Sequence, residues 1–167
     1  FTFIIPSAGY MLPEELPAVH REYADGQIID ALNSVYGLRN CAKSIFADNV
    51  FNNAGNVSEL YYRTDHHLTM KGSYIAYCAI AKNLGFEPLA ESEFEKHSYS
   101  FYGTAYGQSG LWEIPADDLQ TWIGSYDSDL SVTVIDGTVE TEHRGSLDTD
   151  KLSDDVVDKL SLIHISE

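Results

Sequence analysis

A helix with both ends marked constrains this chain more than any other stretch. Met70, Tyr74, Tyr77, Cys78, Ala81 and Leu84 recur at helical spacing. Thr69 stands ahead of them, where a hydroxyl can accept from the first free amides of a helix. Gly85 follows them, where the chain must turn left-handed to stop. The run before the cap, Leu60-Tyr61-Tyr62, reads as a short strand. A strand feeding directly into a capped helix is half of a crossover unit, and it points to an α/β chain.

The residues upstream repeat that rhythm. Phe1-Thr2-Phe3-Ile4-Ile5-Pro6 reads as a buried strand that proline ends, with Ser7-Ala8-Gly9 as the loop after it. Residues 13–23, with Pro13 and Pro17, suggest an irregular helical turn. Asp25 to Tyr36 reads as a helix with Ile28, Ile29, Leu32 and Val35 on its apolar face and Gly37 as its stop. Ser44 to Asp48 reads as a second strand, and 51–58 as an Asn- and Gly-rich loop. Alternating strands and helices predict a parallel sheet with crossover helices.

Past Pro88 the pattern changes. Glu91 to His97 reads as a short polar helix or turn, and Tyr99 to Gly107 is rich in aromatics and glycine. Leu130–Ile135 and Thr138–His143 flank Asp136-Gly137, a two-residue hairpin signal. We therefore divide the chain into an α/β core over 1–90, an acidic insertion with a β-hairpin over 91–159, and a tail over 160–167. That tail resembles the translation of a sequencing adapter and is set aside from fold reasoning as non-native. Opening at Phe1, inside an expected strand, the chain reads as an interior piece of a longer protein.

Charge narrows the partners. The formal charge is −16, and it is uneven: residues 1–90 hold nine acids and six bases, whereas 91–167 hold seventeen acids and four bases. An acidic half of this kind repels phosphate backbones, so no nucleic-acid partner is expected. Cys41 and Cys78 are too few and too far apart for a zinc knuckle or a CxxC motif, and Cys78 reads as a buried free thiol. No apolar run approaches the roughly 18 residues that span a bilayer.

The chemistry concentrates in Tyr61-Tyr62-Arg63-Thr64-Asp65-His66-His67-Leu68-Thr69. In an extended segment, residues two apart share a side, so Asp65 would face His67 while His66 points elsewhere. A carboxylate against one imidazole nitrogen fixes the tautomer and stabilises the imidazolium, which is the acid–base half of a Ser-His-Asp relay. The plainer reading is that these residues cap the helix and satisfy backbone donors. A metal is not expected, since adjacent histidines rarely chelate one ion and His20, His97, His143 and His164 lack ligand spacing. Arg63, Tyr62 and His66 are the candidate substrate-binding residues, although a salt bridge for Arg63 and packing for Tyr62 explain them as simply. Tyr61, Tyr102 and Tyr106 could join Tyr62 along a sugar-binding cleft. Asn56-Val57-Ser58 matches a glycosylation sequon, a triplet common by chance.

The run Tyr61 to His67, followed by Thr69, Gly72, Tyr74, Ala76 and Tyr77, closely resembles the signature of the DHHW family, which is similar to SGNH hydrolases and to alginate O-acetylation enzymes. The likeness extends to Ile4-Ile5-Pro6 and to Phe101-Tyr102-Gly103-Thr104, and so covers roughly residues 1–110. The chain departs from it at Leu68, where the family has Trp. The resemblance implies an SGNH-hydrolase-like three-layer α/β fold, with an incomplete parallel sheet and the antiparallel hairpin as an insertion. It implies Asp65 as the orienting acid and His67 as the base. It also implies a serine nucleophile on a later segment that these residues lack. Ser7, Ser109 and Ser128 read as turn serines. An acyltransferase or esterase acting on cell-surface polysaccharide follows, in an extracytoplasmic setting, with an acyl donor, no cofactor and no metal. The fragment alone is expected to be inactive. The alternative is a non-catalytic surface or carbohydrate-binding protein on the same scaffold.

Overall fold

The computed structural model describes residues 2–39, 44–110 and 112–145. The expectations for Phe1, for Cys41 and for residues 160–167 fall outside those positions. The chain divides into two units. The first is Phe1–Tyr62 with His66–Pro88, and the second is Arg63–Asp65 with Leu89–Glu167.

In the first unit, β1 (Thr2–Ile4) pairs in parallel with β2 (Ser44–Phe46), Phe3 opposite Ile45. Between them lie α1 (Ala8–Met11), a 3-10 turn at Pro13–Glu15, and α2 (Asp25–Arg39). Ser7 caps α1 by accepting from the Tyr10 amide, so the expected loop closes into a helical turn. Helix α2 continues past Gly37; an interior glycine costs about 1 kcal/mol, which packing can offset. Of its predicted apolar face only Ile29 is fully buried, while Ile28 and Val35 are exposed.

After β2 come α3 (Asp48–Asn52) and a 3-10 turn at Val57–Leu60, where a structureless loop was expected. Asn56 of the sequon-like triplet caps that turn, accepting from the Ser58 amide at 3.3 Å. Helix α4 (Met70–Leu84) has the ends its sequence marks: Thr69 Oγ1 accepts from the Gly72 amide, and Gly85 sits at φ 85°. Its buried line is Gly72, Ala76 and Ala81, not the larger residues of the periodic pattern. Small residues face inward because the helix lies close to Leu60. A Cβ on Gly72 would come within 2.4 Å of the Leu60 carbonyl oxygen. The core of this unit is Ala47, Phe51, Leu60, Tyr61 and Ala76, with Phe3, Met11, Val50, Leu68 and Ile75 packed on it. Cys78 is a free thiol, half-buried where full burial was expected.

The predicted strand at 60–62 does not form. Tyr61 makes a single antiparallel bridge to Leu68, the Tyr62 amide donates to the His67 carbonyl, and residues 63–67 are bends. A loop closed on itself this tightly cannot extend along a sheet.

The second unit is antiparallel. A 3-10 turn at Glu91–Glu93 leads into β3 (Phe94–Phe101), so the polar segment expected to be helix or turn becomes mostly strand. After α5 (Thr104–Ser109), β4 (Asp117–Gly124) pairs with β3 along its whole length, from Phe94 opposite Gly124 to Phe101 opposite Asp117. Then β5 (Ser131–Asp136) and β6 (Val139–Arg144) form the expected hairpin. Its register pairs Asp136 with Val139, so the two loop residues are Gly137 and Thr138, one position later than the sequence suggests. Gly137 holds φ 62° at the first loop position, where a tight hairpin turn needs a positive angle.

The class is thus mixed α/β. Every sheet among the described residues has two strands, and only β1–β2 is parallel. The three-layer parallel sheet implied by the resemblance is not built from these residues. None of the described helices is long and apolar enough to cross a membrane.

Candidate functional site

The bends at 63–65 leave backbone donors without a ladder to pair them, and such groups need other acceptors. Asp117, the first residue of β4, supplies two. Its Oδ1 accepts from the Arg63 amide and from Arg63 Nε, each at 3.2 Å. Its Oδ2 accepts from the Thr64 amide at 2.8 Å and from Thr64 Oγ1 at 2.6 Å. Thr64 Oγ1 in turn accepts from the Gly103 amide at 3.0 Å. Asp117 and Thr64 are both buried.

Asp65 is buried as well, at 6% exposure. Its Oδ2 accepts from the Thr104 amide at 2.9 Å and from Thr104 Oγ1 at 3.1 Å. Gly103 is what lets the two segments approach: a Cβ there would lie 2.3 Å from Asp65 Cβ and 2.5 Å from the Thr64 carbonyl oxygen.

His66 and His67 follow Asp65 directly and are both exposed. Their rings lie 4.0 Å apart with 36° between planes. They group with the first unit and Asp65 with the second, and one peptide bond joins Asp65 to His66. The alternation that would set Asp65 and His67 on one side of a strand does not apply to bends. What keeps the acid near the imidazoles is the shortness of the chain, with successive Cα atoms about 3.8 Å apart. The same three residues have donor types that suit a cation, although adjacent imidazoles rarely chelate one ion together.

The other candidates fall as follows. Arg63 bonds Asp117 and also donates from its guanidinium to the Ala116 carbonyl at 3.0 Å, while more than half of its side chain stays exposed. Tyr62 is buried at 6% exposure. Tyr61 is buried in the first unit and donates to the Pro6 carbonyl at 2.8 Å. Burial, and secondarily the Asp25 charge, push its phenol well above the ordinary tyrosine range. Tyr102 and Tyr106 pack together with ring centroids 4.4 Å apart, and Trp112 meets Tyr106 edge-on at 5.4 Å. Ser7 is the cap of α1, and Ser109 Oγ donates to the Tyr106 carbonyl. Sequence reasoning missed Asp117 altogether. Thr64, Gly103 and Thr104 were visible only within longer runs and in the family resemblance, with no role of their own.

Solved structures with this fold include PatB1 of Bacillus cereus with a sulfonyl adduct. It is 19% identical, with 93% of this chain and 54% of that chain covered, at TM-score 0.62. PatB1 without mention of the adduct gives 18% identity, 94% and 56% coverage and the same TM-score of 0.62. A DHHW family protein from Eubacterium siraeum DSM 15702 is 21% identical over 74% of this chain and 41% of its own, at TM-score 0.51. These neighbours match the relationship to DHHW proteins that residues 61–77 suggest, and at such identities the likeness speaks to the fold. The chain spans about half the length of PatB1. No family profile matches the chain, and no curated protein matches it in sequence.

Proposed function

We propose that this chain carries the acid–base half of an acyl-transfer site on an SGNH-like scaffold. Asp65 orients His67, and His67 takes the proton from a serine supplied by sequence that these 167 residues do not include. The serine oxygen attacks the carbonyl of an acyl ester and the alcohol leaves with the proton from His67. A hydroxyl of a cell-surface polysaccharide, or water, then gives its proton to His67 and takes the acyl group, and the serine oxygen leaves with that proton. An extracytoplasmic setting, the polysaccharide and the acyl donor come from the family resemblance.

The observation that carries the reading is the state of Asp65. A buried carboxylate, held by a backbone amide and a hydroxyl, is followed at once by two exposed imidazoles. The side-chain cap of α4 is supplied by Thr69, whose Oγ1 accepts from the Gly72 amide. The fold shared with PatB1 adds support, because a sulfonyl adduct is the mark that sulfonylating reagents leave on an activated nucleophile.

The test is acetyl-ester turnover by the full-length protein. Asp65→Asn should lower kcat by about 10⁴-fold and His67→Ala by about 10⁶-fold, the usual costs of losing the orienting acid and the base of such a relay. Full activity in either variant sinks the assignment. The 167-residue chain alone should show no turnover, and robust hydrolysis by it would place the nucleophile within these residues.

A carbohydrate-binding reading is favoured by one further observation. Trp112 is 67% exposed beside Tyr106, and exposed indoles stack on sugar rings. Glycan binding that persists in His67→Ala and vanishes in Trp112→Ala would select it.

A further inference from the structure

We propose that Asp117, acting through Thr64, and Thr104 are positioning residues that set the Asp65 carboxylate for its imidazole partner. The proposal rests on the reading of Asp65 as the orienting acid. All the contacts it uses lie in the second unit.

The argument begins with strand register. Phe101, the last residue of β3, pairs with Asp117, the first of β4. The chain leaves β3 through Gly103 and Thr104 and returns into β4 at Asp117, so one end of this antiparallel pair presents an amide, a hydroxyl and a carboxylate together. The bends at 63–65 dock on those groups from both directions. Asp117 takes the amides of Arg63 and Thr64, Thr64 Oγ1 bridges Asp117 and the Gly103 amide, and Thr104 takes Asp65 Oδ2. The Tyr106 amide adds a bond to the Thr64 carbonyl at 3.2 Å.

Two features exceed what holding a loop requires. The bonds to Thr64 are short and buried, which fixes the residue directly before Asp65 and hence the direction in which its Cβ leaves the backbone. Thr104 presents two donors to one oxygen of Asp65, which fixes the rotation of the carboxylate about its own axis. Position and rotation are the two quantities that an acid must hold constant to orient an imidazole. Arg63 Nε places a positive charge on the other oxygen of Asp117, so the clamp is neutralised without drawing on Asp65.

The test uses the 167-residue chain labelled with ¹³C and ¹⁵N, followed by NMR from pH 7 to 3. An amide that donates to a carboxylate shifts as that carboxylate takes a proton. The Thr104 amide should therefore titrate in step with Asp65 Cγ. In Asp117→Asn and in Thr64→Val this excursion should fall to less than half. Thr64→Ser, which keeps the hydroxyl, should retain it. Cross-strand contacts between His97 and Thr121 should persist in all three, reporting an intact β3–β4 pair. Should Asp117→Asn lose those contacts, the Thr64→Val and Thr64→Ser pair decides alone. An unchanged Thr104 excursion in Thr64→Val overturns the proposal.

In the active full-length protein, Thr64→Val should lower kcat about 10- to 100-fold with KM unchanged, since misplacing a catalytic group affects the transition state more than binding. If Asp65→Asn keeps full activity while the NMR result holds, the catalytic reading fails and the positioning of the carboxylate stands.

Discussion

Replacing Gly103 with alanine perturbs the site at its narrowest point. The added Cβ would meet Asp65 Cβ at 2.3 Å, the Thr64 carbonyl oxygen at 2.5 Å and Asp65 Oδ2 at 2.6 Å. Ordinary contact begins near 3.4 Å, so the segments must part by about 1 Å. Two bonds stretch beyond useful length when they do: Gly103 N to Thr64 Oγ1, now 3.0 Å, and Thr104 N to Asp65 Oδ2, now 2.9 Å. The neutral bond is worth about 1 kcal/mol and the one to the carboxylate about 1.5–3. Against them stands the lower unfolded-state entropy of alanine, about 0.5–1 kcal/mol. The net cost is about 1.5–3.5 kcal/mol of local stability, or roughly 10- to 400-fold in the local opening constant. Amide hydrogen exchange at Thr104 and Tyr106 reads that constant directly. Gly107→Ala is the matched control, because a Cβ at Gly107, inside α5, meets nothing within 4 Å. It should be neutral or stabilising by up to about 1 kcal/mol. If Gly103→Ala exchanges within threefold of Gly107→Ala at both amides, the close approach of 103 to 64–65 is wrong.

Two further outcomes follow from the first unit. Thr69→Ala should cost about 1–2 kcal/mol in urea denaturation and Thr69→Ser much less, because Oγ1 both caps α4 through Gly72 and donates to the Glu59 carbonyl at 2.7 Å. Equal losses in the two variants would show that the hydroxyl is not what matters. The Tyr61 phenol is raised in the folded state, chiefly by burial, so its contribution to stability is complete below the unfolded pKa of about 10 and is lost as pH climbs above it. Tyr61→Phe should therefore cost about 1 kcal/mol at neutral pH through the lost bond to Pro6, while melting less steeply with pH above 10; an unchanged alkaline slope contradicts the burial of that ring.

What the sequence made legible was local. Helix α4 was readable at both ends because Thr69 and Gly85 act on their own neighbours within four residues. The hairpin was readable from one glycine, though its register slipped by one because the turn is fixed by where the positive φ falls. The parallel pairing of β1 and β2 followed from their apolar runs and the helix between them. What failed was non-local. Strand β4 buries Asp117, Leu119 and Thr121 on alternate positions, so two of its three inward residues are polar and the apolar alternation that marks a strand is hidden. Asp117 is inward because it serves the bends at 63–65, 52 or more residues earlier, and no pattern within β4 encodes that. Residues 60–62 misled for the opposite reason. Their strand-like composition is satisfied by burial of Leu60, Tyr61 and Tyr62 and by a single bridge, without a ladder.

The motif Asp65-His66-His67 is continuous in sequence but not in what holds it. Asp65 takes its support from Thr104, and the residue before it from Asp117, both of the antiparallel unit. The imidazoles sit on the short return from Tyr62 to the capped start of α4, where the His67 carbonyl accepts from Tyr62 and Thr69 closes onto Leu60. A three-residue signature therefore takes its support from two units, Asp65 from one and His66 and His67 from the other. Substitutions that loosen β4 should affect the acid and spare the imidazoles, and substitutions at the start of α4 should do the reverse. This separation explains why a motif can look complete in sequence while its acid depends on an unmarked aspartate far down the chain.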